Sequence, residues 1–330
     1  MSPNRRALLL LAAAALALPA PSGADERFER LRHIVPPADQ AIIGSLRTIE
    51  ARHGDTLSDI ARRYSIGFEE IRMANPDVDP WLPGEGTPVL IPGRYLLPDT
   101  PREGIVVNVP EMRLYWFPPT ARGGKPEVVT YPVSVGRGEW QTPIAETTVV
   151  RKDLDPTWIP TANTHADYAA RGEPLPARVP PGPDNPLGRH SLRLGLPAYL
   201  IHGTNRPYGI GMKVSRGCLR LYPEDIERLF AEVPVGTKVR LVNQPYKAGW
   251  HLDHLYIEVH PEFPEPEDTA YDNLTPLAAA ILAAARHGPA REIDWDAVYR
   301  AAEERAGLPV RITRDDWVDG AMPANAPGSG

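Results

Sequence analysis

The 330-residue chain has one cysteine, Cys218, in "VSRGCLRLYP", with a glycine before it and an arginine on either side. A cysteine attacks as thiolate, and a neighbouring histidine or cation makes the thiolate easier to form. Nine histidines are available. His202 ends the apolar run "LPAYLIHG", where a side chain emerges at a sheet edge, and Cys218 follows sixteen residues later. The intervening "TNRPYGIGMK" is polar and glycine-rich enough to turn back, so the two side chains can meet. The alternative is a small core residue, since free cysteine is among the most buried types. Spacing alone does not choose between them.

These residues need strands to hold them. "GIVVNVPEMRLYWFPP" reads as two strands around a turn at Pro110 and Glu111, with Met112, Leu114 and Trp116 alternating against Arg113 and Tyr115. "VTYPVSVGRGEWQTPIAETTVVRK" repeats the design with Gly136 and Gly138 at the bend, and "AYLIHG" and "TKVRLVN" add further strands. The region is therefore mainly β. Asp155 to Gly195 is too proline-rich to be regular and reads as a lid or binding loop. A helix follows the cysteine: Pro223 suits its first turn, Glu224 and Asp225 its positive end, and Ile226, Leu229, Phe230 and Val233 form one apolar face.

The chain opens with Arg5 and Arg6, then an uncharged run from Ala7 to Leu18 and small residues to Ala24. Residues 1–24 read as a signal peptide, exported by the general or the twin-arginine route. No later stretch supplies the roughly twenty apolar residues of a transmembrane anchor. A lone cysteine in an exported protein has no internal disulfide partner, so chemistry or burial must account for it. A net charge of −6 with mixed signs excludes a nucleic-acid footprint. Neither a Walker loop nor a dinucleotide fingerprint occurs, and no cofactor is expected. His251, Asp253, His254 and His260 suggest a metal, but alternation puts Tyr256, Glu258 and His260 on one strand face, and the helical two-histidine zinc spacing is absent. The expectation is no metal. Residues 244–330 read as a strand, "HLYIEVHPEF", two helices and a disordered tail, "AMPANAPGSG".

Upstream, Leu57, Ile60, Ala61 and Tyr64 fall at i, i+3, i+4 and i+7 behind an Asp55 or Thr56 cap, and Phe68, Ile71 and Ala74 repeat the pattern until Asn75 and Pro76 stop it. Short extended pieces flank them, giving strand, helix, helix, strand. With "HGDTLSDIARRY", "IRMANPD" and "VLIP", this stretch resembles a LysM domain. The resemblance implies binding to glycans containing N-acetylglucosamine, including peptidoglycan; the alternative is a spacer. Length suggests two domains, so the second should react with small soluble substrates without the first.

The string from His202 to Leu219 resembles the L,D-transpeptidase family with a YkuD-type catalytic domain: a histidine–glycine pair, His202-Gly203, then Ser215-Arg216-Gly217-Cys218-Leu219. "DNPLG" before His190, "GRGEWQTP" and the "QPYKAGW" that follows the domain extend it, closest to the Gram-negative envelope group. Arg216 stands where many members have histidine and Arg220 where many have asparagine. The resemblance implies a mainly β catalytic domain at 104–243, sandwich or barrel-like, behind an α+β (βααβ) LysM module at 48–93 and before a partly helical extension at 244–330. It implies Cys218 as nucleophile, His202 as general base and acid, and the Gly203 carbonyl orienting His202. Backbone N–H groups around Gly217, Cys218 and Leu219 would form an oxyanion hole. Ser215, Arg216, Arg220 and His190 are candidate substrate contacts, against a solvated arginine pair and a loop-ordering histidine. The implied reaction is acyl transfer on peptidoglycan in the periplasm, through a thioester. Its acceptor would be diaminopimelate, a lysine of an outer-membrane lipoprotein or a D-amino acid. A hydrolase of the same fold and a noncatalytic glycan-binding scaffold are the other readings.

Overall fold

The computed structural model describes residues 28, 31–263 and 273–314. The signal-peptide reading and the tail reading lie outside them. Nine strands form one curled sheet in the order 31–34, 127–132, 113–117, 104–108, 238–242, 145–154, 190–194, 200–202 and 219–220. Two neighbour pairs are parallel, 104–108 with 238–242 and 200–202 with 219–220; the rest are antiparallel. Ile105, Val107, Leu114 and Trp116 from one half of the sheet share a core with Leu192, Leu194, Ile201 and Leu219 from the other. A flat sheet could not place both halves on one core, so the sheet must curl.

The opposite face of strands 104–108 and 113–117, with Val106, Tyr115 and Phe117, is buried as well, and the amino-terminal region covers it. Helix α1 (Leu57–Arg63) starts at Thr56, whose hydroxyl accepts from the Asp59 N–H while the Asp59 carboxylate accepts from the Thr56 N–H. After Gly67, α2 (Phe68–Ala74) follows. Strands Arg47–Glu50 and Pro88–Ile91 pair beside them, and Asn75 ties α2 to that pair by donating to the Ile71 and Leu90 carbonyls and accepting the Leu90 N–H. Leu57, Ile60, Ile66 and Ile71 pack into one cluster with Val106, Tyr115, Phe117 and Val128 of the large sheet. Below them the Arg113 guanidinium, fully buried, meets Glu70 at 2.5 Å. One hydrophobic core therefore crosses the boundary read from sequence.

The proline-rich stretch is also more regular than its composition suggests. Its prolines leave "ANTHADYAA" clear, and there Thr161 caps α3 (Ala162–Ala170) through the Thr164 N–H. Helix α4 (Pro223–Glu232) covers the sheet next to the cysteine. Beyond 243, a hairpin (Tyr246–His251 and His254–Val259) packs with α5 (Thr275–Ala285) and α6 (Trp295–Glu304) around a third core. At its root Glu111, Glu258 and His260 converge in the interior. The Lys247 ammonium lies 2.8 Å from Glu111 and 2.6 Å from Glu258, so an internal cation already satisfies this donor set. No helix among the described residues is long and apolar enough to cross a membrane.

Candidate active site

The site sits on the last two strands of the large sheet. In their parallel pairing Ile201 faces Leu219 and His202 faces Arg220. Ile201 and Leu219 belong to the core. Side chains alternate across a strand, so Leu200, His202 and Arg220 occupy the other face, and Cys218 enters the strand on that same face. The adjoining strand His190–Leu194 pairs Ser191 with His202 and Arg193 with Leu200. Arg193 thus joins the His202 face, and His190 falls on the opposite one.

The cysteine turn is held by hydroxyls. Ser215 Oγ donates to the Cys218 carbonyl at 2.6 Å and accepts the Gly217 N–H at 3.1 Å. Thr142 Oγ1 donates to the Gly217 carbonyl at 3.0 Å and accepts the Gly136 N–H at 2.9 Å. The Gly217 N–H is thus turned to Ser215, which is buried in the turn. Gly217 itself has φ +95°, and a Cβ there would stand 2.7 Å from the Tyr199 ring.

His202 is buried, and its Nδ1 lies 2.6 Å from the Gly203 carbonyl oxygen. A carbonyl only accepts, so Nδ1 carries the proton and Nε2 keeps its lone pair. Burial, reinforced by the Arg220 charge, lowers the imidazole pKa to about 3, against the pull of the Gly203 and Leu187 carbonyls. The "DNPLG" segment supplies that Leu187 carbonyl. Its Asn185, fully buried, donates to the carbonyls of Pro156, Val179 and Pro180 and accepts the Leu187 N–H. Cys218 is partly accessible, its Sγ 3.5 Å from the Ala198 carbonyl. Burial raises the thiol pKa, while a Leu200 backbone hydrogen bond and the Arg220 and Arg193 charges pull the other way. Both members of the pair are therefore neutral at neutral pH.

The arginines differ. Arg216 is paired with Asp167 and lies over the rings of Tyr168 at 4.7 Å and Trp140 at 5.6 Å, so α3 is fastened across the cysteine turn. Burial lowers the Arg220 pKa, and the Arg220 and Arg193 charges both act on Cys218. The Nε atoms of Arg193, Arg216 and Arg220 are all buried without a hydrogen-bond partner. Arg193 was missed from sequence, although alternation in "HSLRL" would have placed it with His202. Asp167 and Tyr168 were missed because their segment read as irregular. His190 packs on Phe230 of α4 at 4.9 Å and lines a cavity of about 470 Å³ with Asp155, Arg189 and Glu227, apart from Cys218.

Residues 102–241 match the family model of the L,D-transpeptidase catalytic domain, YkuD. Over 311 residues the chain is 40% identical to "Probable L,D-transpeptidase YcfS" of Escherichia coli K12, covering 92% of each protein. Over 283 residues it is 42% identical to "Probable L,D-transpeptidase YbiS" of the same strain, covering 84% of this chain and 90% of the relative. "Putative L,D-transpeptidase YkuD" of Bacillus subtilis 168 is 30% identical over 196 residues, 59% of this chain and 98% of that one.

Proposed function

From the premise that the chain belongs to the YkuD-type L,D-transpeptidase family, we propose that it transfers the acyl group of a peptidoglycan tetrapeptide stem through a thioester on Cys218. The observation that carries this is the His202 tautomer: Nδ1–H bound to Gly203 leaves the Nε2 lone pair free on the sheet face that Cys218 shares. The Cys218 proton passes to His202 Nε2 as Sγ bonds to the carbonyl carbon of the penultimate residue. The tetrahedral intermediate collapses, its carbon–nitrogen bond breaks, and His202 returns the proton to the departing D-alanine amine. An acceptor amine then attacks the thioester, gives its proton to His202 and expels the Cys218 sulfur, which is reprotonated. Arg220 and Arg193, whose charges act on Cys218, hold stem carboxylates. Helix α3 screens the acyl-enzyme from water.

In this proposal residues 104–243 carry catalysis and 48–93 hold glycan, with Trp81, 64% exposed and stacked on Phe68 at 5.6 Å, offering a sugar-stacking face. Residues 1–24 direct export to the periplasm. The acceptor is diaminopimelate, a lipoprotein lysine or a D-amino acid.

The test is mass spectrometry. A carbapenem should add one drug mass to the wild type and none to Cys218→Ala, and an adduct persisting in the variant would show another nucleophile. With a tetrapeptide muropeptide and a labelled D-amino acid, the wild type should release D-alanine and incorporate label in comparable amounts. Tripeptide without label would instead make the protein a hydrolase.

A further inference from the structure

The segment carrying Cys218 is gripped at both ends by the amino-terminal module. Upstream, the Phe68 and Glu69 N–H groups of α2 donate to the Ile210 and Gly211 carbonyls at 3.0 and 3.2 Å. Downstream, the Tyr222 hydroxyl donates to the Ile66 carbonyl at 3.1 Å, Ser65 donates to Asp225 at 3.1 Å, and Arg62 meets Glu224 with two bonds of 2.9 Å. All of these contacts come from the end of α1 and the α1–α2 corner, residues 62 to 69. Between the two anchors lie Met212 to Leu221, including the cysteine turn. The same segment is also held from the sheet side, where Ser134 pairs with Arg220 and its hydroxyl donates to the Gly209 carbonyl at 2.7 Å.

The upstream anchor is a backbone-on-backbone contact. Gly211 has φ +78°, and a Cβ on it would fall 2.3 Å from Gly67 Cα; a Cβ on Gly67 would fall 3.0 Å from Gly211 Cα. Neither chain can back away alone, because the two hydrogen bonds from α2 start one residue after Gly67.

We propose that the α1–α2 corner, through Gly67 and the Ile66 carbonyl, is a positioning element of the Cys218 site, so that the module sets the cysteine's geometry as well as whatever it binds. This rests on Cys218 being the nucleophile. A spacer or a tethered glycan anchor would have no reason to set one of its own glycines, Gly67, against Gly211 of the loop between His202 and Cys218.

Gly67 is the place to test it, because its own φ is ordinary and the substitution alters no residue of the catalytic segment. Gly67→Ala forces a few tenths of an ångström at Gly211, which at a reacting centre should cost about three- to tenfold in acylation rate. The full chain would be assayed two ways: the rate of carbapenem acylation, and the pH dependence of Cys218 alkylation by iodoacetamide. Expected are a slower acylation and a displaced pH midpoint in Gly67→Ala. Ile91→Val, which thins the module core away from the corner, should change neither. A folded Gly67→Ala with both readouts unchanged overturns the proposal. Should that variant fail to fold, Tyr222→Phe, which removes only the bond to the Ile66 carbonyl, decides in the same way. The alkylation readout needs only the thiol, so it separates this proposal from the catalytic one: a Cys218→Ser variant that keeps transferase activity would refute the nucleophile and leave the positioning result standing.

Discussion

Two adjacent glutamates on α2 let the joint between module and sheet be measured. Glu70 meets Arg113 at 2.5 Å, with the Arg113 side chain 0% and the Glu70 side chain 13% exposed. Arg113 also donates to Thr130 Oγ1 at 3.1 Å and lies 4.2 Å from the Tyr95 ring centre. Burial opposes the Arg113 charge, and Glu70 together with Tyr95 and Tyr115 more than offsets that, holding the guanidinium firmly protonated. Glu69 pairs with Arg72 at 2.6 Å, but at the surface, with the two side chains 30% and 50% exposed. Glu70→Ala leaves a guanidinium in the core with no counter-charge, a loss of about 3–5 kcal/mol. Glu69→Ala removes a surface pair worth about 0.2–1 kcal/mol. Equilibrium urea unfolding followed by tryptophan fluorescence resolves that difference. Replacing both partners, Glu70→Leu with Arg113→Met, should recover most of the loss, because a well-packed apolar pair avoids the desolvation cost. If Glu70→Ala and Glu69→Ala come out within about 1 kcal/mol of each other, Arg113 is reaching water and the joint is not a buried one.

Two further outcomes follow from the buried groups of the site. Under the proposed mechanism His202→Ala should lose about a thousandfold in acyl transfer, while His190→Ala, on the opposite sheet face, should stay within about threefold of wild type; steady-state rates on a muropeptide decide, and the reverse order would make His190 the base. Asp225, buried beside Ser65, has its pKa raised from the ordinary 3.8 to about 7 by burial and by Glu224. The folded state therefore keeps a proton that the unfolded chain has already released, and this contribution to stability is lost as pH rises from about 4 through 7. Asp225→Asn should gain on wild type in urea midpoint between pH 4.5 and 8, and a difference that does not change with pH would refute the burial argument.

The sequence was most legible where one local rule governed. Alternation located strands 104–108 and 113–117, and the apolar faces located α1, α2 and α4. The candidate pair was legible because His202 closes a three-residue strand and Cys218 precedes the strand beside it. Contacts between segments far apart in sequence were not. Whether Val106 and Tyr115 face solvent or a second layer depends on the module that covers them, and alternation gives the same pattern for either. The surroundings of Gly217 were not legible for the same reason, since only the fold brings the Tyr199 ring and the Ser215 hydroxyl to it. Helix α3 was hidden by averaging composition across a stretch whose prolines flank the helix rather than enter it.

The electrostatics of the site also bear on why a solitary cysteine can be kept there. Arg220 acts on both members of the pair in the same direction, lowering the thiol pKa and the imidazole pKa. It therefore favours the thiolate but disfavours the imidazolium, and the two effects oppose each other in the conversion of a neutral pair to an ion pair. Burial acts against both charges, and with His202 at about 3 no standing ion pair forms at neutral pH. Under the proposed mechanism the proton then leaves Cys218 as the carbon–sulfur bond forms, when negative charge passes to the substrate oxygen instead of resting on sulfur. Oxidation of cysteine proceeds through the thiolate, so a thiol held neutral until a carbonyl is in place is protected between turnovers. A preformed thiolate would give faster attack on any electrophile, including oxidants. Under the proposed mechanism the neutral pair gives up that general reactivity and keeps Cys218 for the acyl group of the stem.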